Sequence, residues 1–196
     1  MDGRLIYENL KASLDPVEAA KHSFFHYHTR GMHYVNLLRT PRLTAKVYFA
    51  TREYRPNING WAVNPHDHAY NFDTCVLQGA ARNIIFDRDE NNSNWHYFTY
   101  RSPMADGEGF QSQGLAGLKR RTDFAYNPGM NYHLSHDEIH TIAIDVGTVL
   151  FLLQYEDKPK SHTNFYHDLP SPPDTSGLYK PMTPHDVERM IAEYLP

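Results

Sequence analysis

The 196-residue sequence has a single cysteine, Cys75, and no apolar run of about 18 residues. One cysteine excludes an internal disulfide and fits a reducing compartment, so a cytoplasmic location is expected. No segment is expected to span a membrane, and the first residues lack the basic and then apolar layout of a secretory signal. Positive charge is not in excess either. The formal net charge is -4, so no nucleic-acid partner is expected.

Aromatic residues and histidines are abundant instead. Phe, Trp and Tyr make up 13% of the chain, and there are 13 His. Both suit a β-rich fold around a polar cavity better than a helical bundle. Short strand-like segments separated by turn residues predict a sandwich or barrel. The predicted strands are residues 45–54, 60–68, 74–78, 82–87, 95–101, 122–126, 131–134, 139–145 and 148–155.

Helix signals occur near the two ends of the sequence. Residues 15–18, Asp-Pro-Val-Glu, place a cap residue before a proline at the first helical position, which predicts a helix to about residue 28. Residues 183–186, Thr-Pro-His-Asp, repeat this start, and apolar residues follow them at helical spacing. The predicted organisation is one domain with three parts. They are a helical extension over 1–44, a barrel over 45–156 and an irregular segment ending in a helix over 157–196.

The most informative stretch for function contains His66, His68 and Asp73. Residues two apart on an extended strand point to the same face, so both imidazoles are expected on one side. Asp73 follows five positions later and returns a carboxylate to that face if the strand bulges. Imidazoles and a carboxylate suit iron, manganese, nickel or zinc. With a third His from another strand, this spacing predicts a metal site that is open toward substrate.

This stretch resembles the first cupin motif, in which a Gly is followed by His-x-His, then an acid and a closing Gly. Gly60, His66, His68, Asp73 and Gly79 occupy those positions. Asp replaces the usual Glu, and one residue fewer precedes the last Gly. The resemblance implies a mainly β fold, the cupin double-stranded β-helix or jelly-roll barrel, here with an N-terminal and a C-terminal helix.

Residues 129–134 and the histidines near them resemble the second cupin motif, which places its metal-binding His after a turn. The Gly, Tyr, Leu and His of that motif then align with Gly129, Tyr132, Leu134 and His140. His140 begins an apolar strand, where a metal ligand that lines the barrel belongs. His133 and His136 are the alternatives for this role. The ligand set that the resemblance implies is His66, His68, His140 and Asp73.

Within the cupins, residues 66–68 and 77–79 are similar to the segment around the metal in the thiol dioxygenases, including cysteine dioxygenase. In that enzyme the position of Asp73 is a cysteine that becomes joined to a tyrosine. Aspartate cannot form that crosslink, which puts specific cysteine oxidation in doubt. Asp73 either binds the ion directly or orients one of its ligands, and the sequence leaves both open.

The resemblance implies a mononuclear non-haem Fe(II) oxygenase of dioxygenase type that uses O2 to oxidise a small polar substrate, such as an amino acid or a derivative. Mn, Ni, Zn and Cu are the alternative metals. A metal-dependent lyase, isomerase or epimerase is the enzymatic alternative. A small-molecule-binding cupin without activity is the alternative from another class. Cupins often pair through an edge strand, which implies a homodimer.

Four further residues are predicted to act on the substrate. Strand alternation places Tyr70 beside the first motif, and Tyr126 and Tyr132 beside the second, where a hydroxyl donates to a substrate carboxylate. Packing in the barrel is the alternative for each tyrosine. Arg82, three residues after Gly79, either binds a substrate anion or forms a surface salt bridge.

Overall fold

The computed structural model describes residues 2–101, 108–157 and 159–194, and within them the chain forms three helices and thirteen strands. The helices are α1 (Gly3–Ala12), α2 (Pro16–Ala20) and α3 (Pro184–Tyr194). The strands are β1 (Phe24–Phe25), β2 (Met32–Arg39), β3 (Leu43–Ala50), β4 (Phe72–Gln78), β5 (Ala81–Arg88), β6 (Trp95–Arg101), β7 (Gly109–Ala116), β8 (Leu118–Tyr126), β9 (Asn131–Leu134), β10 (Ile139–Ile144), β11 (Val149–Tyr155), β12 (Thr163–His167) and β13 (Lys180–Pro181). None of these helices is long and apolar enough to cross a membrane.

Seven strands form the first sheet, in the order β13-β1-β2-β3-β11-β4-β9. Neighbouring strands are antiparallel throughout. One face carries apolar side chains such as Val47 and Phe151, and the three helices cover it with residues that include Tyr7, Ala19 and Met190. Burial of a side chain of this kind contributes about 1.5–3 kcal/mol. The helices therefore form a second layer on the outer face of this sheet.

The second sheet combines two three-stranded sheets, β10-β5-β8 and β12-β6-β7. His66 joins them, because its backbone bridges His140 of β10 on one side and Phe165 of β12 on the other. The His66 N–H donates to the His140 carbonyl at 2.9 Å, and the His140 N–H donates to the His66 carbonyl at 2.8 Å. The first residue of the His-x-His motif is therefore also a structural link in the middle of the sheet.

The inner faces of the two sheets enclose a shared core. Val76 and Leu150 of the first sheet belong to the same buried cluster as Ile142 and Ile144 of the second. Alternation along β10 points His140 into this space, two residues before Ile142. Two antiparallel sheets face each other, with helices near both termini. The predicted fold class, mainly β with an N-terminal and a C-terminal helix, is confirmed.

The predicted helix over 16–28 is wrong beyond Ala20, where α2 ends. Ser23 stops it, since its Oγ donates to a carbonyl of α2 at 2.7 Å and accepts the Asn36 N–H at 2.9 Å. His26 and His28 then have φ angles of 55° and 65°, which a right-handed helix does not allow. The segment after α2 therefore turns and joins the first sheet as β1. Helix α1 is an element that the sequence analysis misses.

The predicted strand over 60–68 is wrong except for the bridge at His66. Residues 57–61 form a turn in which Asn57 Oδ1 accepts the N–H groups of Asn59 and Trp61, both at 3.0 Å. Pro65 also lacks the N–H that a regular ladder needs. The other eight predicted strands overlap with β3, β4, β5, β6, β8, β9, β10 and β11, although β3 ends at Ala50 rather than at residue 54 and β8 begins at Leu118 rather than at residue 122.

Three longer strands, β2, β7 and β12, lie where the sequence analysis predicts none. β2 falls within residues 1–44 and pairs with β3 in the first sheet. β12 falls within residues 157–196 and pairs with β6 in the second. Both segments that are predicted to flank the barrel therefore contribute strands to its sheets.

Candidate metal centre

His66, His68 and His140 form a cluster between the sheets, with one ring nitrogen of each lying within 4.8 Å of the others. Their positions follow from the backbone. The bridge between residues 66 and 140 fixes two of them, and the His68 N–H donates to the His136 carbonyl at 3.3 Å. The ring of Phe72 lies 4.7 Å from the His68 ring and 6.0 Å from the His140 ring, between centroids. The three histidines of the predicted ligand set are therefore brought together.

Hydrogen bonds orient two of these imidazoles. The His66 Nδ1–H donates to the Asn64 carbonyl at 2.9 Å, and the His140 Nδ1–H donates to Asn83 Oδ1 at 2.8 Å. Because Nδ1 carries the proton in both rings, each Nε2 keeps its lone pair. Fixing the tautomer through the second nitrogen is how proteins prepare a histidine for a metal ion. The buried Asn83 of β5 is a residue that the sequence analysis misses.

The Nε2 atoms of His68 and His140 lie 2.9 Å apart. Two lone pairs at that distance repel each other unless a proton or a cation lies between them. Two nitrogens bound to one ion at about 2.1 Å and at right angles are about 3 Å apart. The spacing of these two rings therefore fits a shared divalent ion, and three imidazoles are a donor set that iron, zinc, nickel and copper accept.

Burial keeps all three imidazoles neutral at pH 7. It is the main cause of the lowered pKa of His66. It also holds the pKa of His68 and His140 well below the usual range, and the positive charge that the neighbouring imidazoles would carry lowers both further. A neutral imidazole is the form that binds a metal, so little competition from protons is expected at neutral pH.

Asp67 anchors the segment between the first two histidines. Its side chain is 2% exposed, accepts the Asn164 N–H at 2.7 Å and pairs with Lys160 Nζ at 2.6 Å. The Tyr97 hydroxyl in turn donates to Asn164 Oδ1 at 2.7 Å. A buried carboxylate needs partners of this kind, and here they tie the segment that carries the two histidines to β12.

The structure does not bring Asp73 to the cluster. Phe72 faces the inner core, so the next residue along β4 points to the opposite face of the sheet. There Asp73 accepts a hydrogen bond from His133 Nδ1–H at 2.8 Å and another from the Tyr155 hydroxyl. The predicted role as a metal ligand is corrected, because β4 is regular here and no bulge returns the carboxylate to the histidines.

Substitution of Asp73 by alanine is expected to leave the metal content unchanged. The variant loses two hydrogen bonds to the carboxylate, which lowers the free energy of unfolding by about 1–3 kcal/mol. Elemental analysis of the purified protein, with a denaturation curve, measures both quantities. Loss of the metal in a folded Asp73→Ala protein would restore this residue to the ligand set.

The alternatives to His140 in the second motif lie elsewhere. His133 is exposed and donates to Asp73, as described above. His136 Nδ1–H donates to Asn71 Oδ1 at 3.1 Å, and the His136 N–H donates to the same oxygen at 2.8 Å. His140 is the member of this trio that shares the inner face with His66 and His68.

Of the predicted catalytic residues, Tyr70 is the one that lines the cavity beside the cluster, within the part of the chain that the structure describes. Tyr126 and Tyr132 pack against each other, with ring centroids 4.6 Å apart, and do not line it. Arg82 is exposed and forms an ion pair with Asp123. Its predicted role in binding a substrate anion is therefore corrected to the surface salt bridge, and the two tyrosines are corrected to packing residues.

Two residues beside the cluster are missed by the sequence analysis. The ring of His28 lies 6.4 Å from that of His66, between centroids, and burial lowers the pKa of His28 to about 3. Lys46 is buried beneath Tyr70, with Nζ 2.6 Å from Gln154 Oε1 and 3.5 Å from the Tyr70 hydroxyl. His28 falls in a predicted helix and Lys46 in the middle of a strand, and no local sequence feature marks either residue as part of a site.

A cavity of about 1490 Å³ opens beside His66 and His68. Pockets for drug-sized ligands measure about 300–1,000 Å³, so this one admits a molecule larger than an amino acid. The ring of Tyr70 lies 5.3 Å from that of His68, between centroids, at its inner end. Burial raises the pKa of Tyr70, so its hydroxyl stays protonated at pH 7 and acts as a donor. The arrangement is an open donor set at the base of a large cavity.

Comparison with known proteins yields likeness in structure and none in sequence. No family model matches the chain, and no curated protein matches it. KdgF from Halomonas sp. is 16% identical, with a TM-score of 0.36 over 64% of this chain and 81% of that chain. Hydroxypropylphosphonic acid epoxidase from S. wedmorenis is 14% identical, with a TM-score of 0.41 over 72% of this chain and 61% of that chain. Hydroquinone 1,2-dioxygenase from Sphingomonas sp. TTNP3 is 10% identical, with a TM-score of 0.35 over 76% of this chain and 73% of that chain.

This chain therefore spans less than two thirds of the epoxidase. None of these three proteins is named as a thiol dioxygenase, so the resemblance to that family stays a prediction. Likeness at these identities and TM-scores carries no information about the reaction. What this chain does has to be inferred from its own residues.

Proposed function

We propose that the chain is a mononuclear metal-dependent oxygenase in which His66, His68 and His140 hold Fe(II). The observation that carries the proposal is the convergence of three oriented, neutral imidazoles beside a cavity large enough for an organic substrate. Fe(II) held there would supply the electrons for a reaction with O2. Three protein ligands would leave room at the ion for molecules from solution.

The residues around the ion would bind and orient the substrate. Asn64 and Asn83 hold the His66 and His140 rings through their Nδ1–H groups, which keeps the donor set preformed. The protonated Tyr70 hydroxyl donates to an acceptor atom of the substrate, and Lys46 beside it fixes its position. The inner core around Phe72 keeps bulk water away from the back of the site.

A lyase or isomerase is the second candidate, and His28 is the observation that favours it. Its imidazole lines the cavity beside His66 and could accept a proton from the substrate. A pKa of about 3 makes it a weak base at pH 7, however. Oxygenation therefore stays the first candidate. Homodimer formation remains a prediction.

Oxygen uptake tests the proposal. Protein loaded with Fe(II) under anaerobic conditions is mixed with aerated buffer and a panel of amino acids, thiols, phenols and larger aromatic compounds. We expect substrate-dependent O2 consumption that requires Fe(II) and is lost in His66→Ala. Turnover of a substrate without O2 consumption, supported equally by Zn²⁺, would instead identify the lyase or isomerase.

A further inference from the structure

Two rows of aromatic rings begin at His66 and line the cavity. In the first row, Phe165 lies 6.4 Å from His66, Phe110 lies 5.3 Å from Phe165, and Tyr100 lies 4.4 Å from Phe110, all between ring centroids. These side chains belong to β12, β7 and β6, so the second sheet holds this row in place.

The second row comes from the segment after α2. His28 lies 6.4 Å from His66, Tyr27 lies 4.4 Å from His28, and Tyr179 lies 5.3 Å from Tyr27, again between centroids. The positive φ of His28 turns this segment toward the cavity. All six residues of the two rows line the cavity. The two rows, which form two aromatic walls of the cavity, therefore meet at the histidine cluster.

Charged residues of both signs line the cavity, so it does not call for a strongly charged ligand. Asp67 and Lys160 pair with each other at 2.6 Å, and Arg101, Asp168 and Asp174 are exposed. The rings offer faces and edges that interact best with another aromatic ring, through offset stacking or edge-to-face contact. An aliphatic chain of the same size would gain burial but none of this preference.

We infer that the substrate of the proposed oxygenase is an aromatic compound of at least two fused rings, bound between these two walls with one ring next to the histidine cluster. That this aromatic ligand is a substrate rests on the proposed function. One wall continues for three rings beyond His66, and the other continues for two rings beyond His28. Each wall is therefore long enough to accommodate more than one ring of a ligand. The inferred aromatic substrate replaces the expected amino acid, which would fill only a small part of the cavity.

Binding of two probes with the same carbon skeleton tests the inference. The full chain is loaded with Zn²⁺, so that no oxidation occurs, and titrated calorimetrically with 2-naphthol and with its saturated counterpart decahydro-2-naphthol. We expect 2-naphthol to bind about tenfold or more tightly than decahydro-2-naphthol, because stacking on both walls adds to burial. Equal affinity for the two probes, or binding of neither, would overturn the inference.

Phenylalanine-to-leucine variants locate the preference. Phe165→Leu and Phe110→Leu keep an apolar side chain but remove the ring, so each is expected to bring the two affinities within about threefold. Phe124→Leu is the matched control, because Phe124 is 54% exposed and lies outside the cavity. It is expected to keep the full preference. An unchanged preference in both cavity variants would show that these walls do not bind the probe.

His140→Ala separates this inference from the proposed function. The variant is expected to lose the ion yet keep the tenfold preference for 2-naphthol. A wild-type protein that holds its ion without any aromatic preference overturns the inference and leaves the metal-enzyme proposal standing. A preference in wild-type protein that binds no metal supports the aromatic site but overturns the oxygenase, and with it the statement about a substrate.

Discussion

Replacement of His140 by alanine is expected to abolish stoichiometric metal binding while the barrel stays folded. Changes to residues that only orient a ligand cost about 10–100-fold in metal affinity, so removal of a ligand is expected to cost more than about 100-fold. The fold survives because the backbone at residue 140 keeps its bridge to residue 66 and its pairing with β5. Elemental analysis of protein that is reconstituted and then desalted measures the effect.

His136→Ala is the matched control for this prediction. It lies four residues earlier in the same motif, and its ring donates to Asn71 rather than joining the cluster. We expect His136→Ala to keep one ion per chain. If His140→Ala also keeps it, and circular dichroism shows a folded protein, the ligand assignment is wrong, and so is the oxygenase that depends on it.

The spacing of the histidines in the sequence predicts the cluster, even though the secondary structure predicted for the same residues is wrong. Residues 60–68 are mostly irregular rather than strand, yet a single bridge at His66 places this residue between β10 and β12. His68 then reaches the same point from an irregular segment. The motif therefore constrains where the imidazoles lie more strongly than it constrains the secondary structure that carries them.

Asp73 shows the opposite case. Its position in the motif suggests a ligand, but the face it occupies depends on whether β4 is regular around it, from residue 72 to residue 76. Because side chains alternate with a period of two, a shift of one residue moves a side chain from the core face to the other face. The pairing of β4 with β11 is regular from Phe72 to Val76, and its register shifts only after Val76, beyond Asp73. No glycine or proline within β4 marks that shift in the sequence. Regular alternation at Asp73 therefore keeps its carboxylate on the face opposite the histidines.

The aromatic walls could not be predicted because their members come from distant parts of the chain. Tyr27 and His28 fall in a predicted helix, Phe110 and Phe165 in strands that the analysis misses, and Tyr179 in a loop before β13. Each aromatic residue taken singly is more simply explained by packing. It is the pairing of β12 with β6, and of β6 with β7, that brings Phe110 and Phe165 to one wall.

Protein freed of metal by a chelator is expected to lose stability in mild acid. Burial is the main cause of a lowered pKa in His66, His68 and His140, and it lowers the pKa of His33 to about 4 and that of His28 to about 3. In the unfolded chain each of these imidazoles takes up a proton near pH 6.5. Between pH 6.5 and the lower native values, the unfolded state therefore binds more protons than the native state does.

The free energy of unfolding then falls with falling pH, because its slope with pH follows the excess of protons bound by the unfolded state. Each such histidine costs about 1.4 kcal/mol per pH unit in this window, and the loss levels off below its native pKa. By pH 5, His28 and His33 each contribute a loss of about 2 kcal/mol. The three cluster histidines act in the same direction, and the typical stability of a whole domain is about 5–15 kcal/mol. Urea denaturation of the metal-free protein at pH 7.5, 6.5, 6.0, 5.5 and 5.0 measures the slope.

A variant of His33, which lies outside the histidine cluster, measures the contribution of one imidazole to this pH dependence of the free energy of unfolding. The Nδ1 atom of His33, which is 7% exposed, accepts the His26 N–H at 3.2 Å, and an asparagine oxygen can replace it as acceptor. We expect His33→Asn to reduce the slope between pH 6 and 5 by about 1.4 kcal/mol per pH unit. His185→Asn, on the exposed side of α3, serves as the control and should keep the wild-type slope. A His33→Asn slope equal to that of wild type would mean that this imidazole is protonated in the native state, so the acid sensitivity would have to come from other groups.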